Sequence, residues 1–233
     1  MHNHFKSFNL FSLFIAATLV FFISCAQNLP EPVLTDYSVI FEYGDEESSP
    51  AARLSIFASS NSDVRRYQKI KITSVETGYC WDTEVLSMLQ ADDAQWVGCS
   101  NLVAPAEEQI PVGRYEVTYI NADEKEVTLN VDVQYDTNFY DILLPALPAF
   151  MSKKRGIEKI AIYDKSHVLI YFGDRTSELI TTRDIWNRYR EASTYQVIWY
   201  TRNGSVICIT PEKLVVPEVE KTDEENTLEE KDN

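Results

Sequence analysis

Ile110-Pro111-Val112-Gly113-Arg114-Tyr115-Glu116-Val117-Thr118-Tyr119 leads through the polar loop Asn121-Ala122-Asp123-Glu124-Lys125 into Val127-Thr128-Leu129-Asn130-Val131-Asp132-Val133. Tyr115, Val117 and Tyr119 alternate with polar residues, and so do Val127, Leu129, Val131 and Val133. Successive side chains of a strand point to opposite faces, so this spacing predicts an antiparallel hairpin with one buried and one wet face. Working outward, the same signal repeats upstream. Residues 37–43 are β-branched and aromatic, 53–58 follow a polar loop, and 68–75 alternate with Ile70, Ile72 and Val75 placed inward. Residues 82–90 read as a short helix or a loop, and 95–99 as a further strand. About seven short strands separated by turn residues suggest a β-sandwich.

The closing segment, Pro111-x-Gly113-x-Tyr115-x-Val117 followed by a polar hairpin, resembles the last hairpin of immunoglobulin-like and fibronectin-like envelope domains. That resemblance implies an immunoglobulin-like sandwich over 33–140. Cys80 and Cys99 sit too close in sequence to be the usual inter-sheet pair of a true immunoglobulin domain.

Residues 141–156 read as a linker, apolar enough through Ile142, Leu143, Leu144, Leu147 and Phe150 to pack rather than flex. A small α+β unit is expected over 157–216. Strands 157–163 and 167–172 precede a helix of about 183–192, capped by Thr181 or Thr182 with Asp184 in its first turn. Ile185, Tyr189 and Ala192 fall on one helical face. Strands 195–200 and 205–209 then flank Asn203-Gly204, a strong hairpin signal. The order is ββαββ, one helix on a four-stranded antiparallel sheet, and the whole fold class is mainly β. Residues 217–233 are acidic and read as a disordered, solvated tail.

The N-terminus carries an address. Phe8 to Ile23 is almost wholly apolar, too short for the roughly 20 residues of a membrane-spanning helix and of the right length for a signal-peptide core. It ends at Phe22-Ile23-Ser24-Cys25. This junction resembles the lipobox of bacterial lipoproteins, in the looser form found in spirochaetes, because Phe22 stands where Leu is usual. The resemblance implies a signal peptide over 1–24, cleavage before Cys25, a lipidated tether over 25–32 and a membrane partner reached through acyl chains such as palmitate. Ala26 in place of Asp implies the outer rather than the inner membrane.

Composition narrows the activity. Lys+Arg number 21 against 36 Asp+Glu, a formal charge of −15, which repels phosphate backbones and disfavours nucleic-acid binding. His167 is the only His after position 4, and no nucleotide loop, metal motif or nucleophile constellation is present, so no cofactor is expected. Asp45-Glu46-Glu47 and Asp92-Asp93 read as solvated loops, and Lys153-Lys154-Arg155 as a solubilising linker. Export to an oxidising compartment favours a Cys80–Cys99 disulfide, with Cys208 a buried core thiol. Trp81 and Trp96, in the intervening segment, are candidates for a contact patch. These features fit a non-catalytic binding or assembly module with an envelope protein partner. The alternatives are a carboxylate-dependent periplasmic or cell-wall hydrolase, which requires a cleft between the two halves, and a surface antigen or inhibitor-like protein.

Overall fold

The structure, a computed structural model, describes residues 32–60, 63–91, 93–106 and 108–215. The expected signal peptide 1–24, lipidated Cys25, tether residues up to 31, Asp92 and the acidic tail 217–233 lie outside the described residues.

Among the described residues, the N-terminal half consists of β1 (Pro32–Glu42), β2 (Ala51–Ser60), β3 (Tyr67–Ser74), β4 (Cys80–Thr83), β5 (Ser87–Ala91), β6 (Ala94–Val103), β7 (Gly113–Asn121) and β8 (Glu126–Val133). Two sheets form, in the orders β1-β2-β6-β5 and β4-β3-β7-β8. Lettered in chain order these are A-B-E-D and C′-C-F-G, the strand arrangement of an immunoglobulin-like sandwich. A second mark of that fold is the tyrosine near the start of strand F. Tyr115 fills this place, its buried hydroxyl donating to the Pro111 carbonyl at 2.6 Å.

The period-two pattern explains the core. Leu54, Ile56 and Ala58 of β2 meet Ile70, Ile72, Tyr115, Val117 and Tyr119 of the opposite sheet, all buried. Each large side chain removed from water contributes about 1.5–3 kcal/mol. Tyr119 also donates its hydroxyl to the Val97 carbonyl at 3.1 Å, tying β7 to β6 across the sandwich. Burial pushes the Tyr119 hydroxyl well above its ordinary pKa. On β3 the alternation continues into Ser74, which is fully buried, and leaves Val75 39% exposed, so the inward position expected for Val75 belongs to Ser74. The segment expected to be a helix or loop over 82–90 instead contains strands in two different sheets, the end of β4 and most of β5.

Between the halves, 3-10 turns at Thr137–Asp141 and Leu144–Ala146 lead into helix α1 (Leu147–Lys153). Phe139, Leu147 and Met151 sink into the large core, so this segment packs as expected. Phe41 anchors it, stacked on Phe139 at 5.3 Å and edge-on to Tyr140 at 5.0 Å.

The C-terminal half contains β9 (Ile157–Asp164), β10 (Leu169–Asp174), a 3-10 turn at Ser177–Leu179, helix α2 (Thr182–Arg188), β11 (Ala192–Tyr200), β12 (Val206–Ile209) and the short β13 (Lys213–Leu214). The capping box is complete: Asp184 N donates to Thr181 Oγ1 and Thr181 N to Asp184 Oδ2, both at 3.1 Å. The helix ends sooner than the expected 183–192, because Tyr189 leaves helical geometry and Ala192 already belongs to β11. Ile185 and Ala192 nevertheless share a small core with Ile160, Ile162 and Leu179. Gly204 takes φ +72° in the β11–β12 turn, a conformation open to Gly at no steric cost.

The sheet of this half is not separate. β12 pairs in parallel with β1, Val39 opposite Val206 through Glu42 opposite Ile209. The order therefore runs β10-β9-β11-β12-β1-β2-β6-β5 as one continuous sheet. One face of this sheet carries both cores.

Candidate binding cleft

β11 alternates so that Tyr195, Val197 and Trp199 share a face, and Trp199 lies opposite Glu158 on β9. Tyr195 and Val197 belong to the small core, whereas Trp199 packs against the large one. The row they form crosses the seam between the two covers of the sheet. A cleft of about 500 Å³ opens there, with Pro145 and Pro148 of the linking segment on one side and Arg175 and Lys213 among its polar lining.

Two of the polar groups of the cleft, Arg175 and Glu158, hold each other in place. Arg175 Nη1 donates to Glu158 Oε1 at 2.8 Å, and Arg175 Nη2 donates to the Ile180 carbonyl at 3.0 Å. Both partners of the ion pair are only partly exposed, 24% and 29%. The guanidinium therefore pins the 3-10 turn to the sheet while orienting the carboxylate. Glu46 and Lys213 also line the cleft, both exposed. Thr210 closes one end, its hydroxyl accepting from Val197 N at 3.1 Å. No group of three or more His, Cys, Asp or Glu placed to hold a metal occurs among the described residues.

A second, shallower groove of about 220 Å³ lies on the outer face of the sandwich, over Phe57, Leu89 and Trp96, with Asp36 at one wall. Gly98 lets β6 approach β2 beside it: a Cβ there would run into the Ile56 carbonyl and stand 2.8 Å from Phe57 Cγ. The neighbouring strand β5 is exposed along its whole length and carries no charged residue.

The residues singled out in the sequence are scattered. Trp96 lines the outer groove, but Trp81 sits on β4 in the other sheet. Trp81 Nε1 donates to the Val103 carbonyl at 2.8 Å and its ring packs 4.5 Å from that of Tyr79. It clasps the two sheets together, and the two tryptophans do not share a patch. Cys80 and Cys99 are free thiols, so the expected disulfide is not formed. The reason is topological: Cys80 is exposed on β4, while Cys99 is buried on β6 of the facing sheet. Cys208 is fully buried in the core, and burial pushes its thiol up to about 12.

His167 stacks on Tyr163 at 4.6 Å in the β9–β10 turn, its Nε2 3.5 Å from Glu212 Oε1. Asp45 caps a turn by accepting from Glu47 N and Ser48 N, bonds that hold its carboxyl below the usual carboxylate range. Within the basic run, Lys154 donates to Asp136 Oδ2 at 2.6 Å and lies 4.9 Å above the Phe150 ring. It fastens α1 to the sandwich.

Sequence reasoning missed Glu158, Arg175 and Trp199 as a group. One signal was present. In Glu158-Lys159-Ile160-Ala161-Ile162 the acid occupies the same alternating face as two isoleucines, an expensive place for a charge without a partner. The chain matches no protein-family model, no curated protein and no solved structure.

Proposed function

We propose that this protein is a lipid-anchored component of a bacterial cell envelope whose folded part is a non-catalytic binding or assembly module. The anchor rests on the apolar run Phe8–Ile23 ending at Ser24-Cys25. Two or more acyl chains make membrane attachment stable, at about 0.8 kcal/mol for each buried CH₂. With Cys25 lipidated, the short tether to Pro32 keeps the start of β1 within about 25 Å of the lipid surface, since extended chain spans at most ~3.6 Å per residue. Ala26 favours the outer membrane.

The observation that carries the binding reading is the seam cleft, in which Glu158 is already bound to Arg175. The test has two arms. Metabolic labelling with palmitate marks the wild-type protein and spares Cys25→Ala; equal labelling of both removes the anchor. Capture from detergent-solubilised envelope retrieves a specific partner with the wild-type protein, and its absence removes the module.

A second reading, a carboxylate-dependent hydrolase, draws on Glu46 and Glu158 lining the same cleft. It requires turnover of a glycoside substrate that is lost in both Glu46→Gln and Glu158→Gln.

A further inference from the structure

The seam cleft balances its charges on a strongly acidic chain. Glu46 and Glu158 are offset by Arg175 and Lys213 there, although the chain as a whole carries −15. Resting on the binding-module reading, we infer that the cleft takes a neutral, polyhydroxylated ligand: a saccharide unit or a short oligosaccharide.

Three features of the lining lead to that chemistry. Its volume, about 500 Å³, is that of a small-molecule site. Its apolar part includes, beside Leu144, Val197 and Tyr195, the flat or rigid Trp199, Pro145 and Pro148 rings, against which the C–H face of a sugar ring packs. Its polar part offers unused capacity of both kinds. Glu158 Oε1 takes the Arg175 guanidinium, while Oε2 has no hydrogen-bond partner among the described residues. Glu46 and Lys213 likewise make no side-chain hydrogen bond or ion pair to the described residues. Hydroxyl groups donate to the two carboxylates and accept from the ammonium, so one polyol satisfies all three.

Other ligand classes fit less well. A purely apolar ligand would desolvate Glu158 Oε2 and Lys213 without replacing their bonds to water. An anionic ligand is repelled by the acidic body, and a cationic one leaves Lys213 opposed. Preorganisation adds to the match, because Arg175 is tied to the Ile180 carbonyl and holds Glu158 before any ligand arrives.

The experiment is a screen of the full chain, purified in detergent, against an array of neutral, acidic and aminated oligosaccharides. Titration of the best neutral hit by calorimetry follows. Retention of neutral oligosaccharides is expected. The double variant Glu46→Ala/Lys213→Ala should bind that hit about tenfold more weakly, a loss of about 1.4 kcal/mol, with an unchanged melting temperature, since both side chains lose their hydrogen bonds to the ligand. These two exposed residues are chosen because Trp199 also packs on the large core, where truncation disturbs folding. Retention of charged glycans only, no retention at all, or undiminished affinity in the double variant overturns the ligand class. If the same preparation binds no saccharide yet still retrieves an envelope partner, only this inference falls; if it does neither, the module reading falls with it.

Discussion

Over β1, β2 and β6 the long sheet is covered by a second sheet, whereas over β9 and the start of β11 it is covered by the seven-residue helix α2 and a 3-10 turn. The first cover buries Phe41, Tyr67, Tyr115, Tyr119 and Phe139 almost completely. The second buries Ile160, Ile162, Leu179 and Ile185, with no aromatic ring so deeply enclosed. A core of that size seldom sustains an independent domain. The C-terminal half therefore depends on the β1–β12 ladder and on the shared face for its stability. The difference also explains the cleft. Two covers of different shape meet the same face without closing over the row from Glu158 to Trp199.

Four measurements test this contrast. Phe41→Ala has the largest expected effect, about 3–5 kcal/mol, because a buried aromatic is replaced by a cavity. Phe41 lies opposite Cys208 and against Phe139, so urea denaturation should show both halves losing stability together. Loss confined to the sandwich would break the claim that the ladder couples them. Ile185→Ala follows, at about 2–4 kcal/mol within the small core. Native-state hydrogen exchange should report faster opening of α2, β9 and β11 while β3 and β7 remain protected. Equal acceleration everywhere would mean one indivisible core.

Thr181→Ala removes one side of the capping box and should lower stability by about 1 kcal/mol. Circular dichroism melts of wild type and variant measure it, and the loss belongs to the C-terminal half alone. The smallest effect concerns the fastening of α1. Lys154, through its hydrogen bond, holds the Asp136 carboxyl below its ordinary value of 3.8. A carboxyl with a lowered folded pKa stabilises the fold above its unfolded pKa, and that contribution fades as the pH falls through the folded value. The pair is partly exposed, so the contribution is below about 1 kcal/mol. Lys154→Ala should therefore be slightly less stable than wild type at pH 7, with the two converging as the pH falls through the lowered folded value of the Asp136 carboxyl. A gap that persists in acid would assign the effect to packing of the lysine stem on Phe150 instead.

Much of the sandwich was legible because its information is local. The alternation around Tyr115, Val117 and Tyr119 requires only that neighbouring residues face opposite ways, and all three are fully buried. The capping box and the Asn203-Gly204 turn are likewise spelled out within a few residues. Errors arose where a local pattern met a distant partner. The Cys80–Cys99 spacing suits a short covalent loop, yet the chain between them crosses from one sheet to the other. A helical face through Ile185, Tyr189 and Ala192 was visible, but pairing of Ala192 with Asp164 draws that residue into a strand and ends the helix early. Of the cleft, only the misplaced charge at Glu158 left a trace, because its other lining residues come from five separate stretches of chain.

The amino-acid order alone carried most of the strands, their tight turns and the helix cap, since each follows from side-chain period and turn chemistry over a handful of residues; β4, β5 and the inward place of Ser74 were the exceptions. That β12 joins β1, that Trp81 clasps two sheets and that a cleft opens over Trp199 emerges only in the folded chain. No turn or spacing links Val39 to Val206. Their pairing is selected by the burial and hydrogen bonds gained when two distant edges meet, a quantity that exists only once the rest of the chain has folded around them.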